Sequence, residues 1–121
     1  MYVNDKMVLQ LVALLKKFGI KKVVVSPGSR HNKLINSLET DGSFKLYLVV
    51  DERSAAFFAL GLIQECGEPV AVTCSSGTAC MNYGSAIVEA FYQRLPLIVL
   101  SSDRVPELLN QCEDQMYDQA S

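Results

Sequence analysis

The sequence has no tryptophan and a single histidine, His31, among its 121 residues. One histidine cannot supply a metal site built from several histidines, and it cannot supply a catalytic triad that needs two. A Ser–His–Asp triad built on His31 is formally possible, but no Gly-x-Ser-x-Gly nucleophile elbow accompanies it.

Long apolar runs and an excess of one charge are also missing. No stretch approaches the roughly 18 uninterrupted apolar residues of a membrane span, and the N-terminus lacks the charged-then-apolar order of a signal peptide. A net charge of −2 and a pI near 5.3 give no electrostatic support for nucleic-acid binding or a basic membrane anchor. We therefore expect a cytoplasmic protein with no membrane span and no nucleic-acid partner.

The four cysteines follow neither a CxxC nor a zinc-finger spacing. Cys66 and Cys112 could face solvent, while Cys74 and Cys80 flank a glycine-containing turn. The spacing favours free thiols, buried or half-buried, over a disulfide framework or a zinc site.

Half of the residues are hydrophobic and a fifth are charged, which is the balance of one globular domain. Helical and extended patterns alternate along the chain. The first predicted helix is capped by Asp5, has apolar positions from Val8 to Leu15 and ends at Gly19. A strand over 23–25, a helix over 32–38, a turn over 40–43 and a strand over 46–50 follow. The rest is a helix over 52–65 that stops at Gly67, a strand over 69–73, a turn over 75–78, a helix through Met81, Ile87, Val88 and Phe91, and a strand over 96–100. This order predicts an α/β fold, a parallel sheet with helices on both faces in a flavodoxin-like three-layer arrangement. Phe57, Phe58, Leu60, Leu62 and Ile63 are predicted to be core residues.

Glu52 stands where the predicted strand over 46–50 gives way to a helix. A carboxylate at that position, backed by apolar residues, can exchange a proton with a bound heterocycle, because ligands of open α/β sheets bind beyond the carboxyl ends of the strands. The plain alternative is that Asp51 and Glu52 only begin the helix, where negative charge complements the helix dipole.

Polar residues follow each of the predicted strands, and parallel topology brings these strand-to-helix junctions to one edge of the sheet. The four junctions are Ser26-Pro27-Gly28-Ser29-Arg30, Asp51-Glu52-Arg53, Ser75-Ser76-Gly77-Thr78-Ala79 and Ser101-Ser102-Asp103-Arg104. Free N–H groups at helix starts and arginine side chains both favour anions. The four junctions together predict a site for an anionic small molecule, although each taken singly could be an ordinary turn or a surface pair. Neither serine–glycine turn matches GxGxxG or the Walker A pattern.

The order of these motifs resembles one family of thiamine-diphosphate enzymes. The matching segments are Ser26-Pro27-Gly28-Ser29-Arg30, Asp51-Glu52-Arg53 with Phe58-Ala59-Leu60-Gly61, Ser76-Gly77-Thr78-Ala79, and Asp103-Arg104-Val105-Pro106-Glu107-Leu108. They resemble the N-terminal pyrimidine-binding region of the 2-succinyl-5-enolpyruvyl-6-hydroxy-3-cyclohexene-1-carboxylate (SEPHCHC) synthases of menaquinone biosynthesis. The first and last segments narrow the resemblance to this family, whereas the glutamate and the Ser-Gly-Thr-Ala turn are shared widely among thiamine-diphosphate enzymes.

The resemblance implies a reaction and a role for each matching residue. Such a synthase decarboxylates 2-oxoglutarate and adds the succinyl carbanion equivalent to isochorismate. Glu52 would be the catalytic residue and would hydrogen-bond the N1′ nitrogen of the cofactor's aminopyrimidine ring, bordered by Gly77 and Thr78. The implied substrate-binding residues are Ser29, Arg30, Arg104 and Gln115, of which Gln115 lies in a segment that departs from the family's Gly-x-Asn-Gln pattern.

The same resemblance implies what this chain leaves to other parts of the enzyme. Residues 1–121 are expected to be a pyrimidine-binding domain, truncated and inactive alone, with the central and diphosphate-binding domains absent. Thiamine diphosphate would need Mg²⁺ or Mn²⁺, held by the absent C-terminal domain, and the full enzyme would be a homodimer or homotetramer. Asp41-Gly42-Ser43 lacks the rest of the metal-binding motif and is interpreted as a turn.

Two alternatives stay open on the sequence. One is another thiamine-diphosphate decarboxylase or an acetolactate-type enzyme, which a pocket not lined by Ser29 and Arg30 would favour. The other is a non-catalytic, flavodoxin-like module that senses an anionic metabolite.

Overall fold

A parallel sheet with helices on both faces forms the described part of the chain, which in this computed structural model comprises residues 6–27, 32–74 and 78–101. The helices are α1 (Lys6–Lys17), α2 (Asn32–Asp41), α3 (Glu52–Cys66), α4 (Thr78–Met81) and α5 (Gly84–Gln93), and the strands are β1 (Lys22–Val25), β2 (Lys45–Leu48), β3 (Val70–Cys74) and β4 (Leu97–Ser101). The strands lie in the order β2-β1-β3-β4 and all pair in parallel. The predicted α/β fold is confirmed.

The two central strands are made of valine and other small apolar residues because helices cover both of their faces. Val24 of β1 pairs with Tyr47 of β2 on one side and with Val72 of β3 on the other. All of β3 is buried, whereas the edge strands β2 and β4 are only partly covered.

Each face of the sheet has its own apolar core. One core packs α1 and α2 on the sheet through Val12, Leu15, Ile20, Val23, Val25, Leu34, Leu38 and Ala71. The other packs α3, α4 and α5 through Val24, Ala55, Ala56, Ala59, Leu60, Ile63, Val70, Val72, Cys74, Ala79, Tyr83, Ala86 and Ala90. The helices change face because the chain reverses direction across the sheet after β2.

Two predicted helix ends are confirmed by glycines in the left-handed region. Gly19 has φ 75° and Gly67 has φ 71°, and the Gly67 N–H donates to the Ile63 carbonyl at 2.7 Å. An L side chain rarely adopts this conformation, so glycine ends a helix there at little cost.

Helix α2 continues to Asp41, beyond the predicted end at Leu38. The Asp41 side chain accepts a hydrogen bond from the Ser43 N–H and pairs with Lys16, both at 3.1 Å. These contacts hold the last turn of α2 against α1 and confirm that Asp41-Gly42-Ser43 forms a turn.

The predicted single helix through Met81 and Phe91 is wrong, because α4 and α5 are separated by Asn82 and Tyr83. The Tyr83 N–H donates to the Cys80 carbonyl at 3.1 Å, which ends α4, and the Tyr83 ring turns into the core. The buried side chains of α5 are alanines, while Met81, Ile87, Val88 and Phe91 are exposed.

The prediction that Phe57 and Phe58 are core residues is also wrong, because these side chains are 41% and 43% exposed. The core stripe of α3 consists instead of small alanines with Leu60 and Ile63, which let the helix lie close to the sheet. Leu62 is half-buried. The Phe58 ring packs on Tyr47 of β2, with 5.5 Å between ring centroids.

Candidate functional site

The carboxyl ends of the strands meet at one edge of the sheet, as the sequence predicts. The Ser26 N–H donates to the Thr73 carbonyl and the Val49 N–H donates to the Val25 carbonyl, both at 2.9 Å. The residues just beyond β1 and β2 therefore stay in register with the sheet. Between β1 and β3 the chain's connections leave in opposite directions, which makes this the topological switch point of the sheet. Open α/β sheets bind ligands in the crevice at such a point.

Glu52 is the first residue of α3 and lies at this edge. It is on the same helical stripe as Ala56, Ala59 and Ile63, at spacings that place side chains on one face of an α-helix. Those three side chains are buried against the sheet, and Glu52 is half-buried. The helix therefore aims Glu52 over the strand ends, with apolar residues behind it.

Asp51, rather than Glu52, caps the start of α3. Its carboxylate accepts a hydrogen bond from the Ser54 N–H at 2.8 Å, and this bond lowers the pKa of Asp51 below its ordinary value. Glu52 forms no hydrogen bond or ion pair with the described residues. The plain alternative, in which both acids only begin the helix, therefore accounts for Asp51 and leaves the Glu52 carboxylate available to a ligand.

Three buried polar residues belong to this region: Ser26 follows β1, Cys74 ends β3, and Tyr83 stands between α4 and α5. Ser26 and Cys74 are fully buried, and so is Tyr83, which packs in the same core as the first turns of α3. Burial raises the pKa of the Cys74 thiol to about 12, and the nearby Cys80 and Glu52 charges add to this shift. Burial also raises the pKa of the Tyr83 hydroxyl, with the Cys74 and Glu52 charges again contributing.

Sequence reasoning missed Tyr83 and gave Ser26 no role beyond its turn. The signal in the sequence is that Tyr83 stands directly before a helix whose core-facing residues are alanines. A tyrosine hydroxyl buried there ordinarily needs a hydrogen-bond partner. For the cysteines the prediction of free thiols is confirmed at Cys66, Cys74 and Cys80.

Of the other predicted site residues, only Thr78 falls within the described part of the chain. It begins α4 directly after the junction that follows β3, so its backbone lies at the edge where α3 begins. Several predicted residues lie outside the described ranges, namely Ser29, Arg30, Gly77, Arg104 and Gln115, as do Asp5, His31 and Cys112.

The opposite edge of the sheet carries an apolar groove of about 540 Å³ that includes Phe18, Pro69 and Pro96. The described residues that line this groove are all apolar. Across residues 6–27, 32–74 and 78–101, no group of three or more His, Cys, Asp and Glu residues is placed to hold a metal ion. None of the helices in these same ranges is long and apolar enough to cross a membrane.

Comparison with known proteins gives a consistent result. Residues 6–121 match the family described as thiamine pyrophosphate enzyme, N-terminal TPP binding domain. The chain is 48% identical over 119 residues to the SEPHCHC synthase of Phocaeicola vulgatus and 49% identical over 109 residues to that of Geobacillus kaustophilus. These matches cover 98% and 90% of this chain but only 21% and 19% of the two synthases, so the chain spans about a fifth of the length of the curated relatives it matches.

Solved structures give the same fold. Benzoylformate decarboxylase from Polynucleobacter necessarius superimposes with a TM-score of 0.77 at 26% identity, over 93% of this chain and 21% of that chain. A putative thiamin diphosphate-dependent enzyme from Mycobacterium smegmatis gives a TM-score of 0.76 at 25% identity, over 90% of this chain and 21% of that chain. These likenesses favour the enzyme interpretations over the anion-sensing module.

Proposed function

Because the chain belongs to the thiamine pyrophosphate enzymes, as their N-terminal TPP-binding domain, we propose that it is the N-terminal part of a SEPHCHC synthase. The observation that carries this proposal is the position of Glu52, half-buried on the inward stripe of α3 at the edge formed by the carboxyl ends of the strands. The names of the relatives at 48–49% identity support the choice of reaction.

The residues at this edge fit an aminopyrimidine ring. Glu52 can reach a ligand because its side chain is half-exposed and is not used in capping α3. A carboxyl group can hydrogen-bond the N1′ nitrogen of such a ring. When bound, thiamine diphosphate supplies the electron sink for the decarboxylation of a 2-oxo acid.

The role of Glu52 in this proposal is to hold and exchange one proton at N1′. Asp51 supports that role, because its hydrogen bond from the Ser54 N–H fixes the first turn of α3 and hence the direction of Glu52. The backbone of Thr78 at the start of α4, together with Gly77, would border the ring. The diphosphate and its Mg²⁺ or Mn²⁺ are assigned to the C-terminal domain of the complete enzyme.

The substrates of this proposal are 2-oxoglutarate and isochorismate, both of which carry carboxylates. Ser29, Arg30, Arg104 and Gln115 are the proposed substrate-binding residues. For Ser29, Arg30 and Arg104 the support is that Pro27 and Ser101, a few residues away in the chain, lie at the edge that carries Glu52. Gln115 rests on the resemblance to the synthases alone. The proposal includes a cytoplasmic location.

Assembly into a homodimer or homotetramer is supported by exposed apolar side chains on α3 and α5. Phe91 and Tyr92 are 74% and 77% exposed, and Phe57 and Val88 also face solvent. We call these four residues, together with Gly61, the α3–α5 outer face. Exposed large apolar side chains that adjoin one another usually mark a contact surface, and here Phe57 belongs to α3, the helix that begins with Glu52.

The proposal is tested by Glu52→Gln in the complete enzyme, because the amide keeps the size of the side chain but cannot exchange a proton. We expect the rate of SEPHCHC formation from 2-oxoglutarate and isochorismate to fall by roughly 10²–10⁴-fold, with an unchanged far-UV circular dichroism spectrum. Glu65→Gln is the matched control, since Glu65 is exposed on the same helix.

Near-normal turnover in the Glu52→Gln enzyme would remove Glu52 from the mechanism. Turnover of pyruvate by the unsubstituted enzyme, with none of 2-oxoglutarate, would support another thiamine-diphosphate enzyme instead.

A further inference from the structure

The hydrogen-bond ladder between β1 and β2 continues one residue beyond β2. The Val49 N–H donates to the Val25 carbonyl at 2.9 Å, which is the bond expected from the register of Val25 with Leu48. In a parallel ladder the next bond runs the other way, from the N–H of the residue two positions beyond Val25 to the Val49 carbonyl. That residue is Pro27, which has no N–H to donate. The Val49 carbonyl therefore lacks the donor that a continued ladder would supply.

Ser26 supplies a donor to this carbonyl from its side chain. Its hydroxyl donates to the Val49 carbonyl at 2.9 Å, and its N–H donates to the Thr73 carbonyl, also at 2.9 Å. Ser26 is fully buried directly after the valines of β1, a place where an unpaired hydroxyl would cost stability. Pro27 favours the extended backbone of Ser26, because a residue that precedes proline is restricted to extended conformations. The pair Ser26-Pro27 thus replaces a backbone donor with a side-chain donor.

The hydrogen bonds of Val49 hold the segment that leads into α3. Val49 lies two residues before Asp51, and both its N–H and its carbonyl are bonded to the end of β1. Asp51 in turn accepts from the Ser54 N–H through its side chain and from the Ala55 N–H through its carbonyl, both at 2.8 Å. A single residue separates these two sets of hydrogen bonds. The end of β1 is therefore closely connected to the first turn of α3, which carries Glu52.

We propose that Ser26 is a positioning residue for Glu52: its hydroxyl replaces the ladder donor that Pro27 lacks, holds the Val49 carbonyl, and so sets the point from which α3 begins. The direction of Glu52 toward the cofactor rests on the proposed function, whereas the replacement of the donor does not. Ser26 acts through the backbone and not through contact with a substrate, because its side chain is fully buried.

The first test measures amide hydrogen exchange of residues 49–55 by mass spectrometry in the complete enzyme without cofactor. We expect Ser26→Ala to speed exchange in this segment by roughly tenfold, the factor that corresponds to the loss of one hydrogen bond. Ser37→Ala is the matched control, because Ser37 is also buried but its hydroxyl has no hydrogen-bond partner among the described residues. Unchanged exchange in Ser26→Ala, or equally fast exchange in Ser37→Ala, would overturn the proposal.

The second test restores the backbone donor. Pro27→Ala gives residue 27 an N–H, which the ladder places to donate to the Val49 carbonyl. We therefore expect Ser26→Ala to change amide exchange by less than about twofold when it is made in the Pro27→Ala enzyme, because the carbonyl then keeps a donor. Equal effects of Ser26→Ala with and without Pro27 would overturn the replacement of the donor. If Ser26→Ala alone does not fold, recovery of the folded enzyme in the double variant supports the replacement, and no recovery overturns it.

The third test measures how fast the C2 proton of bound thiamine diphosphate exchanges in D₂O, which reports proton transfer from the side of Glu52. We expect Ser26→Ala to slow this exchange by about tenfold, as misplacement of a catalytic group does. The KM for 2-oxoglutarate should change less than about twofold, because Ser26 does not contact this substrate in the proposal. Normal C2 exchange in Ser26→Ala would overturn the positioning role.

These tests distinguish the inference from the proposed function. Normal C2 exchange in Glu52→Gln would refute the proposed function, and the cofactor-free amide exchange would still decide whether Ser26 replaces the ladder donor. A large loss in Glu52→Gln together with no loss in Ser26→Ala would refute the positioning role and leave the proposed function standing.

Discussion

Gly61 and Gly67 lie on the same helix but should respond in opposite ways to alanine. Gly61 is inside α3 with an ordinary helical φ, and a Cβ built on it meets nothing within 4 Å. Gly67 ends the helix with φ +71°, and a Cβ built there also meets nothing within 4 Å. The two sites therefore differ in backbone conformation and not in available space.

The expected magnitudes follow from this difference. Alanine in a helix interior is favoured over glycine by about 1 kcal/mol, so Gly61→Ala should raise the free energy of unfolding of this chain by roughly that amount. For a domain of this size the rise corresponds to about 3–6 °C in Tm. Gly67→Ala should lower the free energy of unfolding by roughly 1–2 kcal/mol, because an L side chain is strained in the left-handed region.

Urea and thermal unfolding of the 121-residue chain, followed by circular dichroism, measure both changes. A lower Tm for Gly61→Ala in this chain would refute the reasoning, as would equal Tm values for the two variants. In the complete enzyme Gly61→Ala gives a further readout, because Gly61 lies on the α3–α5 outer face. If that face is a subunit contact, the added methyl group should weaken association in sedimentation experiments while it stabilises the isolated chain.

Two further predictions concern ionisable groups near Glu52. Asp51→Ala should lower the Tm at pH 7 by a few degrees, because the Ser54 N–H loses its cap, whereas Asp51→Asn keeps an acceptor and should change it less. The folded state lowers the pKa of Asp51, so the ionised Asp51 carboxylate stabilises the fold at pH values above its ordinary pKa of 3.8. That contribution disappears as the pH falls through the lowered pKa of the folded state. The difference in Tm between the unsubstituted chain and Asp51→Asn should therefore be smaller in thermal scans at pH 2 than at pH 7. Cys74 should resist iodoacetamide at pH 8 in the folded chain and react after unfolding in urea, because it is fully buried and its pKa is raised to about 12; peptide mass spectrometry that finds native Cys74 modified as fast as half-buried Cys66 would contradict this.

The sequence predicted the sheet well, since continuous apolar strands and glycine helix ends are local signals. Strands β1 and β3 are runs of valine and other small apolar residues, and Gly19 and Gly67 end their helices as expected. The edge at which Glu52 lies could also be predicted, because Glu52 stands a few residues beyond β2 in a parallel sheet whose strand ends share one edge.

The helix faces were harder to predict, because hydrophobicity does not tell core from contact surface. Phe57 and Phe58 are more apolar than the alanines beside them, yet the alanines face the sheet. Close packing of α3 on two adjacent strands favours small side chains along much of the contact. The two phenylalanines therefore lie on the outer side, although Leu60 and Ile63 are buried. The same holds for α5, where Ala86 and Ala90 are buried and Phe91 is exposed.

The burial of the Tyr83 hydroxyl could not be read from the sequence, because only the fold places this side chain in the core. A tyrosine among apolar residues is ordinarily interpreted as core. Its interest comes from a hydroxyl that has no partner at bonding geometry in the described residues, which is visible only in three dimensions.

Helix α3 joins two surfaces that the proposed function needs at once. Its inner stripe begins with Glu52 and continues through buried alanines, and its outer side carries Phe57 and Gly61. Because the hydrogen bonds of one α-helix connect residues 52–66, we expect a partner that packs on Phe57 and Gly61 to restrict the direction of Glu52 as well. Subunit assembly and activation of the cofactor would then be two consequences of the placement of one helix. That coupling gives a physical reason why a domain holding the activating acid should be catalytic only in the assembled enzyme.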